Sequence, residues 1–342
     1  METMSANPAP SRRVLITGAT GFLGGYAVRE FLAHGYDVVA HGRNATVLNE
    51  LAQLGATTVR GDLSRLANST IKVDMVVHCA ALSTPWGRWA DFERANVAGT
   101  EQVIRFMERN RVPRLVYVSS PSVYARRGDQ LNVTEEQVDP DNRLNNYIRS
   151  KIAAEALLAR ALGRGRIPEL ITIRPRGLIG AGDTSVAPRL LSAYAKIGVP
   201  IFAGGHNLVD LTAVQNVALA LRLAAQAKHA EGQVYNITND DPRPFKELLD
   251  ELLATLALPP KFRSTNAAVV YGLAAAMEGV CKILPGRPEP PLTRYSLTTI
   301  AYSQTLDISK AKAELGYAPT VSIEQALQAF ATRYRESGAL DA

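Results

Sequence analysis

The chain has 342 residues, of which 46% are hydrophobic and 20% charged, and 38 Lys and Arg against 32 Asp and Glu give a net charge of +6. This ordinary composition indicates a globular protein of one large or two smaller domains and excludes a low-complexity chain. The positive charges form no long run, so nucleic acid is not expected as a partner. The two cysteines, Cys79 and Cys281, predict no disulfide framework and fit a reducing cytoplasm.

Neither a signal peptide nor a membrane-spanning segment is predicted. Residues 1–11 are polar and contain proline, so they are expected to form a disordered tail. The most apolar long stretch, 266–284, is interrupted by Glu278 and Lys282 and lacks the roughly 18 apolar residues of a spanning helix. It predicts an amphipathic helix that packs within a small lobe, covers an acyl chain or makes peripheral contact with a membrane.

Short runs rich in Val, Ile and Leu alternate with helical patterns over the first half of the chain. The runs are 13–17, 36–42, 57–62, 74–80, 114–120 and 169–175, and the helices are 22–34, 45–54, 92–110 and one that begins near Asn146. Runs without strict polar alternation are typical of strands covered on both faces. Their repeated alternation with helices predicts an α/β fold with a Rossmann-like, doubly wound parallel sheet.

The regularity weakens after Pro175, which suggests a second, smaller unit. The expected parts are a dinucleotide-binding Rossmann domain over 12–176 plus about 207–235, and a C-terminal α/β substrate lobe over about 177–206 and 236–337.

The first strand ends in the glycine-rich stretch "ITGATGFLGG". Gly18, Gly21 and Gly24 have the spacing that lets a backbone turn tightly, approach a pyrophosphate and pack a helix closely on the strand. Because the motif follows a strand and opens a helix, it predicts a dinucleotide site.

The end of the second strand indicates which dinucleotide is bound. An NAD site usually has an acidic residue here to bond the ribose 2′-hydroxyl, but this chain has Gly42 followed by Arg43 and Asn44. Without a carboxylate a 2′-phosphate is not repelled, and Arg43 can pair with it. NADP(H) is therefore expected, with NAD as the second choice, and Asp62 after the third strand is placed to touch the adenine.

Tyr147 and Lys151 lie four residues apart where an amphipathic helix begins. One turn separates them, so both side chains project from the same side of the helix. Such a pair also occurs by chance as a lysine stem lying along a ring, and the pair alone does not define a function.

Several motifs resemble the extended short-chain dehydrogenases/reductases in order and spacing. They are TGxxGxxG at 17–24, "VVHCAA" at 76–81, "ANVAGT" at 95–100, "VYVSSPSVY" at 116–124, "YIRSK" at 147–151 and the tail "DISKAKAELGYAPTVSIEQAL" at 307–327. Their combination makes a chance origin of the Tyr–Lys pair improbable.

The resemblance implies a role for each residue of the pair. Tyr147 is expected to be the general acid/base on the substrate oxygen, and Lys151 to hold the nicotinamide ribose and favour the tyrosinate. Ser120 matches the hydroxyl that polarises the carbonyl, with Ser119 pointing to the other face. Asn96 is expected to be a structural support.

The same resemblance implies the wider set of ligand contacts. The expected cofactor residues are Gly18, Thr20, Gly21, Phe22, Leu23, Gly24, Arg43, Asn44, Asp62, Leu63, Ala80, Ala81, Tyr147, Lys151 and Pro175. The expected substrate residues are Ser83, Trp86, Ser122 and Arg176. No metal site is expected, because the five histidines show no ligand spacing.

Two other activities of the family are disfavoured by single positions. Dehydratases carry an Asp-Glu pair directly after the catalytic hydroxyl residue, where this chain has Pro121 and Ser122. Nucleotide-sugar enzymes commonly carry an asparagine where this chain has Gly177. A nucleotide-sugar 4-epimerase is kept as an alternative, since other donors can bind the sugar.

Three longer segments resemble the 3β-hydroxysteroid and sterol-4-carboxylate dehydrogenase branch and bacterial 2-alkyl-3-ketoalkanoic acid reductases. They are "STPWGRWADFERANVAGT" at 83–100, "RPRGLIGAGDTSVAPRLL" at 174–191 and "PEPPLTRY" at 288–295. Trp86 or Trp89 is placed to wall an apolar pocket or to pack elsewhere, and Arg176 or Arg88 to receive a carboxylate or remain solvated.

Together these features predict an NADP(H)-dependent oxidoreductase that interconverts 3-hydroxy and 3-keto groups on a bulky apolar small molecule. A non-catalytic NADP-binding sensor on the same fold is the alternative from another class. A homodimer through helices near 92–110 and 146–162 is expected, with Ile104, Ala153, Leu157 and Leu158 as apolar residues there, although sheet packing can use the same positions.

Overall fold

The computed structural model describes residues 12–196, 198–229 and 231–337. The predicted N-terminal tail, 1–11, lies outside the described residues. Fifteen strands are formed within them: β1 Arg13–Thr17, β2 Asp37–Gly42, β3 Thr57–Arg60, β4 Met75–His78, β5 Arg114–Val118, β6 Gln130–Val133, β7 Glu169–Pro175, β8 Leu178–Ile179, β9 Val199–Phe202, β10 Leu208–Val209, β11 Thr212–Ala213, β12 Glu231–Ile237, β13 Arg243–Pro244, β14 Phe262–Thr265 and β15 Gln304–Leu306.

The α-helices of the same residues connect these strands. They are α1 Phe22–Ala33, α2 Ala45–Gln53, α3 Leu63–Leu66, α4 Trp89–Phe92, α5 Gly99–Asn110, α6 Asn146–Gly163, α7 Val186–Lys196, α8 Val214–Gln226, α9 Phe245–Thr255, α10 Ala267–Ile283, α11 Arg294–Ala301, α12 Ser309–Leu315 and α13 Ile323–Glu336. A π-helical segment, Glu93–Ala98, and a 3₁₀ turn, Pro121–Tyr124, adjoin them.

Seven parallel strands form the main sheet in the order β12-β7-β5-β4-β1-β2-β3. Alternate strand residues point to opposite faces, so Ile16 packs with α1 and α8 whereas Leu15 packs with α5 and α6. Burial on both faces explains the continuous apolar runs. The predicted doubly wound parallel sheet is confirmed.

The remaining strands build a smaller unit at the carboxyl edge of that sheet. A four-stranded sheet has the order β13-β10-β15-β6, and two short pairs join β11 with β8 and β14 with β9. Its apolar core is formed mainly by α7, α9 and α13. Strand β6 falls within the range predicted for the Rossmann domain, yet it pairs with β15 of this second sheet.

Two predicted helices differ in detail from the structure. The helix predicted over 92–110 is divided into α4, the π-helical segment and α5. The amphipathic helix predicted over 266–284 is α10, and an apolar stripe of its surface faces outward through Val269, Leu273, Val280 and Ile283. None of the helices in the described residues has the length and apolar character needed to cross a bilayer.

Candidate active site

The glycine-rich turn between β1 and α1 is shaped by close backbone contacts. Gly18 has a φ of +69°, and a Cβ there would lie 2.6 Å from the Ala80 amide nitrogen. A Cβ at Gly24 would lie 2.1 Å from the Gly18 carbonyl oxygen. Only glycine fits at both positions, so the start of α1 comes close to the sheet edge with its first amides directed outward. This cradle fits the pyrophosphate of a dinucleotide.

The end of β2 has no room for an acidic side chain at Gly42. A Cβ there would lie 2.5 Å from the Thr20 Cγ2 atom. Arg43 is exposed and has no ion pair or hydrogen bond in the described part of the chain. Asn44 caps α2 by accepting from the Val47 amide at 3.2 Å. Arg43 is therefore a cation that this edge offers to a phosphate, and Arg60, which pairs with Gly42 across β2 and β3, lies beside it.

Asp62 lies at the neighbouring strand end and caps α3. Its carboxylate accepts from the Ser64 hydroxyl at 2.5 Å and from the Arg65 amide at 3.2 Å. These two bonds lower the pKa of Asp62, and the carboxylate stays exposed to the edge where the adenine is expected.

The other predicted cofactor residues follow the same edge. Phe22 and Leu23 open α1, and Leu63 opens α3. Ala80 and Ala81 follow β4, and Pro175 ends β7. Ligands of open α/β sheets bind at this edge, so the structure brings the predicted set to the expected side of the sheet.

His41 was missed by the sequence analysis, although it lies in the same cradle. Its carbonyl accepts from the Ala19 amide at 3.0 Å and so helps to hold the glycine turn. Both ring nitrogens are buried without a partner in the described residues. Burial lowers the pKa of His41, with Asp62 acting in the opposite direction, so the ring is neutral at pH 7. An isolated histidine in a strand pattern resembles an ordinary core position, which is why it gave no signal.

Tyr147 and Lys151 lie on one face of the first turns of α6. The Asn145 side chain accepts from the Ile148 amide at 2.8 Å, and this cap fixes where the helix begins. Tyr147 is 8% exposed, and its ring centroid lies 6.3 Å from that of Phe92. The pair is therefore held at the carboxyl end of β5 by helix capping and aromatic packing.

Lys151 is 2% exposed and is held by the end of β5. Its Nζ atom donates to the Val118 carbonyl at 2.9 Å and to the Tyr117 hydroxyl at 3.3 Å. Burial opposes the charged form, but Tyr117, Tyr147 and Glu155 together raise the pKa of Lys151 above its ordinary value. A buried ammonium therefore persists beside Tyr147. Tyr117 is a further residue that sequence analysis missed.

The two serines after β5 make different contacts. The Ser119 hydroxyl donates to Glu155, whose carboxylate is ion-paired at 2.5 Å with the buried guanidinium of Arg174. Ser120 Oγ accepts from the Ser122 amide at 3.2 Å, and its own proton has no acceptor in the described residues. Ser120 thus retains a free donor, whereas Ser119 is committed to the ion pair.

Asn96 ties the π-helical segment to its surroundings. Its amide donates to Ser150 Oγ at 2.8 Å and to the Leu82 carbonyl at 3.1 Å, and its oxygen accepts from the Leu82 amide at 2.7 Å. Ser150 in turn donates to the Tyr147 carbonyl at 2.7 Å. Asn96 therefore supports the helix that carries Tyr147 and the segment that follows β4.

The two tryptophans after β4 make different contacts. Trp86 Nε1 donates to the Arg287 carbonyl at 3.0 Å and so joins this segment to the lobe. Trp89 lies beneath the Arg149 guanidinium, 3.7 Å from its ring centroid. The Trp89 ring is therefore covered by Arg149 of α6, whereas Trp86 lies between the segment after β4 and the small lobe. Ser83 is exposed on the same segment.

Arg176 and Arg88, the two predicted carboxylate receptors, differ in burial. Arg88 is 65% exposed in its side chain and pairs with Asp91 at 3.2 Å. Arg176 is 8% exposed and directly follows β7. The next residue, Gly177, has a φ of +56°, and a Cβ there would lie 2.9 Å from the Asp210 carbonyl oxygen. The asparagine of nucleotide-sugar enzymes would therefore require a backbone shift at this position.

Tyr295, on α11, is a site residue that the sequence analysis missed. Burial and, to a lesser extent, Tyr147 raise the pKa of Tyr295 to about 12, against the opposing effects of Arg176, Arg189 and Ser122. Tyr295 therefore lies near Tyr147 from the lobe side. Its position depends on how the lobe folds back over β5, which no local pattern reveals.

A glycine cradle at the carboxyl edge of a doubly wound sheet, with a buried Tyr–Lys pair beside it, defines a Rossmann-fold oxidoreductase. Residues 14–238 match the NAD dependent epimerase/dehydratase family. The chain belongs to this family and is an extended short-chain dehydrogenase/reductase.

Individual relatives narrow the class. The chain is 31% identical to a 2-alkyl-3-oxoalkanoate reductase of Stenotrophomonas maltophilia, over 92% of this chain and 97% of the relative. It is 30% identical to the decarboxylating sterol-4-alpha-carboxylate 3-dehydrogenase of Schizosaccharomyces pombe, over 93% and 96%. The solved structure of MoeE5 with UDP-glucuronic acid and NAD superposes with a TM-score of 0.73 at 25% identity, covering 95% of this chain and 99% of that one. The chain is thus an NAD(P)-dependent oxidoreductase that acts on a CH–OH or keto group.

Proposed function

We propose that this protein is an NADP(H)-dependent reductase of 3-oxo groups on bulky apolar acids. The observation that carries the proposal is the buried Tyr147–Lys151 pair beside a glycine cradle and a free Ser120 hydroxyl. The names of two relatives, a 3-oxoalkanoate reductase and a sterol 3-dehydrogenase, support the same chemistry.

The reduction converts a ketone and a hydride into an alkoxide, which takes up one proton to give an alcohol. The bound reduced dinucleotide supplies the hydride. Ser120 donates a hydrogen bond to the carbonyl oxygen, and Tyr147 transfers its hydroxyl proton to that oxygen. The Lys151 ammonium stabilises the tyrosinate that remains, because a positive charge in a buried setting favours the anion.

NADP(H) is proposed as the preferred cofactor because of the end of β2. The exposed guanidinium of Arg43 has no partner among the described residues, and Thr20 fills the space that an acidic side chain at Gly42 would need. An arginine beside a small residue favours the extra phosphate of NADP(H) through charge-assisted hydrogen bonds.

An apolar substrate is proposed on the names of the relatives and on the lobe that faces the site. Burial of each methylene contributes about 0.8 kcal/mol, or about fourfold in kcat/KM. A series of 2-alkyl-3-oxo acids of increasing chain length, followed by NADPH absorbance, should therefore show kcat/KM that rises until the pocket is filled. Equal activity on short and long chains, or activity confined to nucleotide sugars, would contradict the proposal.

The epimerase and the sensor remain the competing functions. Epimerisation of a nucleotide sugar is disfavoured by the close contacts around Gly177. A non-catalytic sensor has no need for a free Ser120 donor together with a buried Tyr147 and Lys151. Epimerisation of UDP-glucose by this protein would favour the epimerase. NADPH binding without turnover of any ketone would favour the sensor.

Self-association and membrane contact are proposed for two separate surfaces. Ile104 and Leu158 are buried in the core of the protomer, so a dimer through α5 and α6 would use their outer sides, including Ala153 and Leu157. The outward apolar stripe of α10 is proposed to rest against an anionic membrane, because exposed Lys282 adjoins it. A monomer mass that does not change with protein concentration would refute the dimer. Failure of the protein to co-sediment with phosphatidylglycerol vesicles would refute the membrane contact of α10.

A further inference from the structure

Arg176 is a buried cation for which the fold supplies few partners. Its Nε atom donates to the Gln304 carbonyl at 3.2 Å, and no other hydrogen bond from its side chain forms within the described residues. No carboxylate of those residues lies within 4.0 Å of its guanidinium. An arginine keeps its charge in proteins, so four of its five N–H donors and its charge are left for another group.

Other arginines near the site already have partners. Arg189 lies 3.6 Å from Glu289, and Arg88 pairs with Asp91. Asp210 acts on Arg176 only from beyond ion-pair distance, and its carboxylate accepts from the Leu306 amide at 2.7 Å. Arg176 is therefore the cation of this region that lacks a direct counter-charge.

The start of α11, which carries Tyr295, is fixed by a cap and an ion pair, and Tyr295 and Arg176 interact electrostatically. Thr293 caps α11 by accepting from the Ser296 amide at 3.0 Å. The buried carboxylate of Glu278 on α10 accepts from the Arg294 amide at 2.7 Å and pairs with its guanidinium at 2.8 Å. These contacts fix the backbone of the helix start from which the Tyr295 side chain projects.

Ser122 adds an unsatisfied hydroxyl to the same place. It is 4% exposed, and its Oγ atom makes no hydrogen bond of normal geometry in the described residues. It nevertheless lies close enough to the Tyr295 phenol to lower its pKa against the effect of burial. A buried polar atom without a partner carries a cost that a bound polar group would remove.

We propose that Arg176 and Tyr295 form a carboxylate subsite, with Arg176 as the ionic partner and the Tyr295 and Ser122 hydroxyls as further donors. This inference rests on the proposed 3-oxo reductase function and names the group that selects its substrate. Tyr295 interacts with both Tyr147 and Arg176. Arg176 follows β7 and Ser120 follows β5, and these neighbouring parallel strands end at the same edge of the sheet, where Lys151 holds the Val118 carbonyl one turn from Tyr147. A carbonyl at Tyr147 and a carboxylate at Arg176 would therefore lie at the same edge, as the C3 and C1 groups of one 3-oxo acid require.

The test compares a 2-alkyl-3-oxo acid with its methyl ester, which keeps the ketone and the apolar body but removes the charge. The wild-type chain is expected to prefer the acid in kcat/KM by roughly 30-fold, since a charge-assisted hydrogen bond contributes about 1.5–3 kcal/mol. Arg176→Met should abolish that preference by raising KM for the acid, and Arg176→Lys should restore part of the preference. Arg164→Met, at an exposed arginine at the C-terminal end of α6, is the control and should keep the wild-type preference.

Each outcome has a distinct meaning. Loss of the acid preference in Arg176→Met and its partial return in Arg176→Lys support the subsite. Equal use of acid and ester by the wild type overturns the subsite but leaves the reductase function intact. Equal losses on both substrates in a folded Arg176→Met protein assign Arg176 a structural role. If neither is reduced while a nucleotide sugar is turned over, the proposed function fails and the subsite with it. If Arg176→Met does not fold, two other measurements test the subsite. They are the ratio of kcat/KM for the acid over the ester in the wild type and the same ratio in Tyr295→Phe, which is expected to be about tenfold lower.

Discussion

On the sheet side of the candidate site, formed by the glycine turn, Ser120, Tyr147 and Lys151, the buried cation Lys151 donates to two oxygen atoms of the fold. On the lobe side, formed by Arg176 and Tyr295, the buried cation Arg176 donates to one. Lys151 is thus fixed before any ligand binds, whereas Arg176 retains most of its donors. The difference indicates that the sheet side is built for one constant ligand and the lobe side for selection among substrates.

The largest expected effect tests the sheet side. Tyr147→Phe removes only the hydroxyl and keeps the ring that packs near Phe92. Turnover is expected to fall by about 10³-fold or more, because proton transfer to the substrate oxygen is lost. NADPH binding, measured by fluorescence titration, should be unchanged. Lys151→Met should weaken both turnover and binding. Near-normal turnover of Tyr147→Phe would falsify the assignment.

A second prediction compares two glycines from the two sides. Gly24→Ala places a Cβ 2.1 Å from the Gly18 oxygen, so the turn must shift and NADPH affinity should fall by roughly 100-fold. Gly272→Ala on α10 meets no atom within 4 Å and should stabilise the chain by about 0.5–1 kcal/mol with unchanged affinity. Isothermal titration calorimetry measures the NADPH affinity of each variant, and thermal unfolding measures its stability. Tight NADPH binding by Gly24→Ala would show that the glycine turn does not form part of the cofactor site.

The third prediction addresses cofactor choice at the end of β2. Arg43→Asp replaces the free guanidinium with a carboxylate that repels a 2′-phosphate and can accept from a 2′-hydroxyl. The ratio of kcat/KM for NADPH over NADH should fall by about 50-fold. Arg263→Asp, an exposed substitution with the same change of charge on β14 of the small lobe, is the control and should change the ratio little. A wild-type preference for NADH would contradict the premise.

The sequence predicted what depends on local spacing and left out what depends on distant pairing. The glycine turn and the Tyr147–Lys151 pair are set within eight residues each, so their geometry follows from the chain itself. Tyr117 escaped notice because alternate residues of a buried strand resemble ordinary core. Strand β6 pairs with β15, and their residues Gln130 and Gln304 are 174 positions apart. Such a pairing has no local signature.

Tyr295 shows the same limit within the site. Its position results from the Glu278–Arg294 ion pair between two helices and from the fold of the lobe over the 3₁₀ turn that follows β5. The segment 288–295, which ends at Tyr295, resembles one branch of the family, but nothing in its residues indicates that Tyr295 lies near Tyr147. Residues of the lobe side were therefore predicted less completely than those of the sheet side.

The smallest expected effect concerns Asp210, which is 3% exposed near Arg176. Burial raises the pKa of Asp210 to about 6 from 3.8, against the opposing effects of the Leu306 amide and Arg176. Between about pH 4 and 6 the folded chain therefore holds a proton that the unfolded chain has released. Stability falls as the pH rises through this window, and the deficit persists above it.

Asp210→Asn tests whether this carboxylate is the counter-charge of Arg176. The variant keeps an oxygen for the Leu306 amide and removes the titration, so the free energy of unfolding should rise by about 3 kcal/mol at pH 7 and change little at pH 4. Urea denaturation at both pH values measures the difference. A loss of stability at pH 7 would mean that Arg176 depends on ionised Asp210, and then the contrast between a satisfied Lys151 and an unsatisfied Arg176 would no longer hold.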